Sequence, residues 1–310
     1  MKAFIPRRSQ SHRWVTPFLT GILLFSIFSA FAAPSSHAAQ FKTLQGDGVE
    51  VLFPPSLGAA AKEAAQMTPG IKEDLQETFG WPFHFKPTII LMKDSQRFRQ
   101  MIHSSLVVGF AIPKKDLVII DYPRIKNLVN FQNILKHELC HLLLHKQIKN
   151  VPIPRWFDEG VAQWASNGVM DILHDQREAL LPKAAFSDGL IPLGALSKGF
   201  PGNPNALRLA YEESRSIIDY IILTHGKPGL LEILALMKEN VPLRKAISIA
   251  FDTPLYKIEK KWHSSLSQNI AWFAHLSYYL YEILFALGGL IVVYAFIKLL
   301  RKKRAYMEEE

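Results

Sequence analysis

Cysteine is almost missing from this chain: Cys140 stands alone among 310 residues. A single thiol excludes an intrachain disulfide framework and a cysteine-rich zinc ribbon. Glycine (17) and proline (19) are not in excess, so collagen-like and low-complexity readings fall away. With 49% hydrophobic and 20% charged residues, the chain is not wholly disordered either. No internal repeat is visible. A large charge of one sign is also missing where a globular body would lie. The net charge is +9, but residues 40–270 hold 27 basic and 23 acidic side chains, only +4. The excess sits largely at the two ends, so total charge gives no reason to expect a nucleic-acid partner.

The ends read as membrane segments. Lys2, Arg7, Arg8 and Arg13 precede an uncharged stretch from Trp14 to Ala33, and small residues near Ala38 suit cleavage. Residues 1–39 are therefore expected to be a secretory signal peptide, with an uncleaved anchor as the other reading. Residues 276–300 are expected to form a transmembrane helix. Ile283 to Ile297 is uncharged and mostly apolar, and Tyr278 to Leu300 would reach about 34 Å as a helix. Tyr278, Tyr279 and Tyr281 lie at one end, where aromatic belts form, and Glu282 falls near that interface. Arg301-Lys302-Lys303-Arg304 opens a tail, 301–310, that should stay cytoplasmic. The expected protein crosses the membrane once, with residues 40–270 exported. The signal and the short basic tail look bacterial, which would place the domain on the periplasmic or outer face of an inner membrane.

Within residues 40–270 the pattern predicts strands at 49–53, 88–92, 107–112 and 117–120. Helices are predicted at 59–79, broken or kinked at Pro69-Gly70, and from Asp94 or Ser95 to His103. Further helices are predicted at 128–147, 155–167, 204–225, 228–240, 243–251 and 255–269, with a loop-rich stretch at 182–204. Strands first and helices after make an α+β fold.

The strongest motif is His137-Glu138-Leu139-Cys140-His141, H-E-x-x-H within a helical run. Residues four apart share a helix face, about 6 Å apart along the axis, so both imidazoles can chelate one Zn²⁺. Glu138 beside them can act as general base toward water. A catalytic zinc needs a third protein ligand and a position left for water. His145, Cys140 and Glu159 are the candidates. His145 lies about 12 Å along the axis from His137, too far for all three rings to meet one ion. Cys140 adjoins His141 in sequence and also reads as a small buried apolar residue. Glu159 follows a break at Pro152 and Pro154, from which a second helix can return, although it also reads as a surface residue at a helix start.

H-E-x-x-H followed by Trp156-Phe157-Asp158-Glu159-Gly160-Val161-Ala162 resembles the gluzincin zinc metallopeptidases, the thermolysin-like and M1-type aminopeptidase group, whose M1-type segment reads W-L-N-E-G-F-A. The resemblance implies a thermolysin-like catalytic domain over roughly 45–270. It makes His137, His141 and Glu159 the metal ligands and Glu138 the catalytic base. Ala210-Tyr211-Glu212-Glu213-Ser214 is similar to the Y-x-K-G-A segment whose tyrosine steadies the oxyanion, which implies that role for Tyr211. Ser214 and Arg215 replace the Gly-Ala pair, and Tyr211 also reads as an ordinary helix tyrosine. The G-A-M-E-N-like segment that anchors a free N-terminus in the aminopeptidases is absent. Gly109-Phe110-Ala111-Ile112 occupies about its place without the glutamate, which favours internal cleavage of a peptide or protein substrate. The strand at 117–121 is expected to be the sheet edge that pairs with substrate. Asn133, Gln163 and Asp158 are candidates for orienting the ligands, Asp158 also reading as a solvated helix-start residue. Non-catalytic readings are a peptidase-like binding or scaffold protein at the membrane; the third alternative is a metal hydrolase of a non-peptide bond.

Overall fold

The computed structural model describes residues 41–102, 104, 106–167 and 180–308; the expected signal segment, 1–39, lies outside them. The strands are β1 (Lys42–Gly46), β2 (Val49–Phe53), β3 (Thr88–Met92), β4 (Gly109–Ile112) and β5 (Leu117–Asp121). They form one mixed sheet in the order β1-β2-β3-β5-β4. β2, β3 and β5 run parallel, and β1 and β4 are antiparallel at the two edges. The expectation that 117–121 is an edge is therefore wrong. β5 lies inside the sheet, buried from Val118 to Asp121, and β4 holds the edge. β1 was not predicted, because Lys42-Thr43-Leu44-Gln45-Gly46 has no buried apolar face to alternate. It is held by a hairpin to β2 through Asp47-Gly48, where Gly48 takes φ 63°.

The helices are α1 (Gly58–Phe79), α2 (Ser95–Ile102), α3 (Leu128–Gln147), α4 (Arg155–Ser166), α5 (Leu180–Phe186), α6 (Leu193–Leu196), α7 (Pro204–Lys238), α8 (Leu243–Phe251) and α9 (Leu255–Glu308). The observed fold is α+β, a mixed sheet followed by a helical lobe. α1 runs through Pro69 unbroken, since Ala60, Ala61, Ala64, Thr68, Ile71 and Leu75 keep one buried face on both sides of it. α7 does break where expected, at Gly226 (φ 73°, ψ 167°) ahead of Pro228.

The stretch expected to be loop-rich contains α5 and α6. Carboxylates from neighbouring helices satisfy the backbone N–H groups there. Glu212 Oε2 accepts from Leu180 and Leu181, Glu213 Oε1 from Ile191, and Glu259 Oε1 from Leu193. α9 begins in the core with Leu255, Ile258 and Trp262 and continues without interruption to Glu308, where two separate segments were expected. Its stretch Glu282–Arg301 is long and apolar enough to cross a membrane, and none of it is buried.

α3 is the central helix of the fold. Asn127 caps it, Oδ1 accepting from the Asn130 N–H at 2.8 Å. From Ile134 to Leu144 every residue is buried, between the sheet side and α4. Each fully buried leucine or isoleucine there contributes about 1.5–3 kcal/mol. Pro152 and Pro154 end the return loop, and α4 starts directly after Pro154. Gly160 lets α4 approach α7: a Cβ there would fall 2.2 Å from the Ser214 carbonyl oxygen and 2.7 Å from Ile218.

Gly160→Ala should therefore destabilise the protein by about 1–3 kcal/mol, seen as a lowered Tm of the purified full chain. An unchanged Tm would mean the two helices are not so close. A second expectation concerns Glu213. Burial pushes its carboxyl up to about 7, helped by Glu259 and Glu212 and opposed by the Ile191 N–H. The native state then holds this proton more tightly than the unfolded state. Its stabilising effect is complete below about pH 4.5 and is lost as pH rises through about 7. Glu213→Gln, which keeps the acceptor for Ile191, should remove up to about 3 kcal/mol of that slope in denaturation curves between pH 4.5 and 7. Identical slopes in the two proteins would contradict the assignment.

Candidate metal centre

α3 carries His137 and His141 on one face, and α4 brings Glu159 up to them. The three ligand atoms converge: His137 Nε2 lies 3.0 Å from His141 Nε2, and Glu159 Oε2 lies 3.4 and 3.5 Å from them. Among the described residues this is the one His/Cys/Asp/Glu group arranged to hold a metal ion. The rings stand nearly perpendicular, at 84°. All of this rests on the return of α4 onto α3 after Pro152 and Pro154.

The electrostatics favour a cation. Burial alone would raise the Glu159 carboxyl, but hydrogen bonds from both imidazoles and the His141 charge hold it well below the usual carboxylate range. Burial opposes charge on His141, yet the charge and hydrogen bond of Asp158, with Glu159, raise the ring well above its ordinary value. Burial lowers His137. Asp158 and Glu159 thus favour positive charge where the three donors meet. Because the Asp158 carboxylate only accepts, His141 Nδ1 carries a proton, so Nε2 is the nitrogen that would give up its proton and turn a lone pair to an ion. Two imidazole nitrogens and one carboxylate oxygen suit Zn²⁺, so the donor set fits that ion.

Glu138 is buried beside the ligands and accepts a hydrogen bond from the Ala111 N–H of edge strand β4. Gly109 makes room for it, since a Cβ there would come within 3.0 Å of Glu138 Oε1. Burial pushes the Glu138 carboxyl up to about 8; His141 and the Ala111 amide oppose the rise, and Glu159 and Asp158 add to it. Tyr211 Oη lies 3.4 Å from Glu159 Oε1, and Arg155 hydrogen-bonds the same phenol. The Arg155 guanidinium also sits 4.6 Å over the Phe200 ring, and Phe200 meets Tyr211 edge-on at 5.1 Å.

The remaining candidates divide. Cys140 is buried in the core, away from any ligand role. Gln163 Nε2 bonds the Tyr211 carbonyl and so ties α4 to α7; it touches no ligand. Asp158 is no solvated helix-start residue: its Oδ1 lies 2.9 Å from His141 Nδ1 and its Oδ2 2.7 Å from His145 Nε2. Arg155, Phe200 and Gly109 escaped the sequence reading. For Arg155 a signal existed, its i,i+4 spacing from Glu159.

A mixed sheet flanked by a helix bearing H-E-x-x-H, with a glutamate returned by the next helix, defines a gluzincin-like peptidase fold. The chain belongs to the Peptidase MA superfamily, whose family model matches residues 85–268. Similar solved structures include Legionella pneumophila aminopeptidase A in complex with aspartic acid, at 16% identity and a TM-score of 0.44 over 72% of this chain. Another is a variant of an M1 zinc metallopeptidase from Deinococcus radiodurans, at 13% identity and a TM-score of 0.42 over 73% of this chain. The chain spans 27% and 51% of those two chains. A comparison with curated proteins finds no match.

Glu159→Ala should reduce bound zinc from about one ion per chain to a small fraction, and the affinity should fall beyond the roughly 100-fold that outer partners cost. Elemental analysis of the purified full chain checks this. Full zinc occupancy in the variant would remove Glu159 from the site.

Proposed function

We propose that the protein is a membrane-anchored zinc metallopeptidase that cleaves peptide bonds internally on the exported side of the membrane. The observation that carries this reading is the convergence of His137, His141 and Glu159 with Glu138 on the same helix. In it, residues 1–39 direct export, 40–270 form the catalytic domain, 276–300 span the membrane and 301–310 stay cytoplasmic. The apolar stretch of α9 and the basic run after it support the anchoring and its orientation.

His137, His141 and Glu159 hold the ion. Bound there, Zn²⁺ supplies Lewis-acid polarisation of the scissile carbonyl and a more acidic water. Glu138 accepts a proton from the attacking water and passes it to the leaving amine. Its place suits that task, because it is buried beside His137 and His141 and is held by the Ala111 N–H. The Tyr211 hydroxyl donates a hydrogen bond to the developing oxyanion. An extended substrate pairs with β4, whose outer edge is free in the sheet and whose Ala111 amide already faces Glu138. The missing counterpart of the N-terminus anchor supports internal cleavage over removal of single residues.

Zinc content and casein hydrolysis of the purified full chain test the reading. Glu138→Gln should keep about one zinc per chain and lose turnover by roughly 10²–10⁴. Equal turnover in the variant and the parent would end the peptidase assignment, and a parent that holds zinc but leaves casein intact would be a peptidase-like binding protein.

A further inference from the structure

His145 is a histidine of the motif helix that neither the ligand set nor the proton transfers use. It lies one turn beyond His141 on the same face of α3, and it does not approach the ion site. Instead it reaches across to α4. The Asp158 carboxylate lies between the two rings, Oδ1 at 2.9 Å from His141 Nδ1 and Oδ2 at 2.7 Å from His145 Nε2. Both oxygens of Asp158 are thus engaged by imidazoles from a single helix. With only His141 as partner, the carboxylate would be free to turn about its own axis. With both, its plane is fixed, and so is the direction in which it accepts the His141 Nδ1–H. The two metal-facing rings are not equally supported. His137 Nδ1 is buried with no hydrogen-bond partner among the described residues, so no polar group holds that ring from behind. The built polar support therefore acts on His141.

Asp158 also immediately precedes Glu159. One turn of α4 thereby places a ligand on the ion site and an orienting carboxylate on the ligand opposite. His145, 36% exposed, closes the chain on the solvent side. Resting on the zinc reading above, we infer that His145 is a positioning residue: through Asp158 it fixes the orientation of His141 Nε2 and thereby strengthens zinc binding. It touches neither substrate nor ion.

Zinc affinity, measured on the metal-free full chain by competition with a chromophoric chelator, tests this without any turnover assay. His145→Asn cannot bring a donor out to the position of Nε2, and zinc affinity should fall by about 10-fold or more. His145→Gln carries its amide N–H near that position and should restore affinity to within about threefold of the parent. Asp158→Asn should weaken binding at least as much as His145→Asn, and adding His145→Asn to it should cost nothing further. Thermal unfolding of the metal-free forms separates misfolding from the effect sought, since the Asn and Gln variants should melt alike. Parental affinity in His145→Asn, or equal losses in the Asn and Gln variants, would overturn the inference. A parent chain that binds no zinc would overturn the metal reading, and the role of His145 with it.

Discussion

Everything depends on the meeting of two imidazoles from α3 with a carboxylate from α4, inside a site that shuts out most water. Two helices must lie close and in fixed register for this, and their sequences supply the means. Burial from Ile134 to Leu144 locks α3 into the core, and Pro154 starts α4 at a defined residue. Gly160 then allows α4 to rest on the backbone of α7. That contact brings Tyr211 beside Glu159, so one small residue ties the ligand carboxylate to the phenol. Charges in such a place are costly unless paired. Asp158 and Glu159 are held toward the ionised form because His141 and its neighbours answer them.

The sheet serves the same centre from the other side. β4 lies at the edge, and its Ala111 amide reaches the Glu138 carboxylate, with Gly109 leaving the space. On the proposed reading, a strand that offers one edge to an extended chain and one amide to Glu138 would couple the lie of a peptide to proton transfer. The remaining helices brace this arrangement: Trp156 bonds Ser197 next to α6, and Trp262 of α9 bonds Ser216 of α7. The helix that leaves the body for the apolar stretch is therefore one that also closes its core.

Much of the site is legible in the sequence because its chemistry is local. Spacing alone puts His137 and His141 on one face, and the proline break followed by Trp156-Phe157-Asp158-Glu159-Gly160 marks the return helix. What escaped was tertiary. Strand order cannot be read from four apolar runs, so the edge went to 117–121 when it belongs to 109–112. β1 has no apolar alternation, and only the Asp47-Gly48 turn pointed to a hairpin. Asp158 had two readings until the structure showed His141 and His145 on either side of it. The unbroken course of α9 has a signal in the sequence: neither proline nor glycine occurs between Leu255 and Leu287. Pro69 does not break α1, since packing on both sides of it outweighs one missing backbone hydrogen bond.

The most direct measurement is anomalous diffraction from crystals of the zinc-treated protein, with data on both sides of the zinc absorption edge. The account predicts one strong zinc peak per chain, bounded by His137 Nε2, His141 Nε2 and Glu159 Oε2. A map without a peak between those atoms, or with Glu159 turned away from both rings, would contradict it.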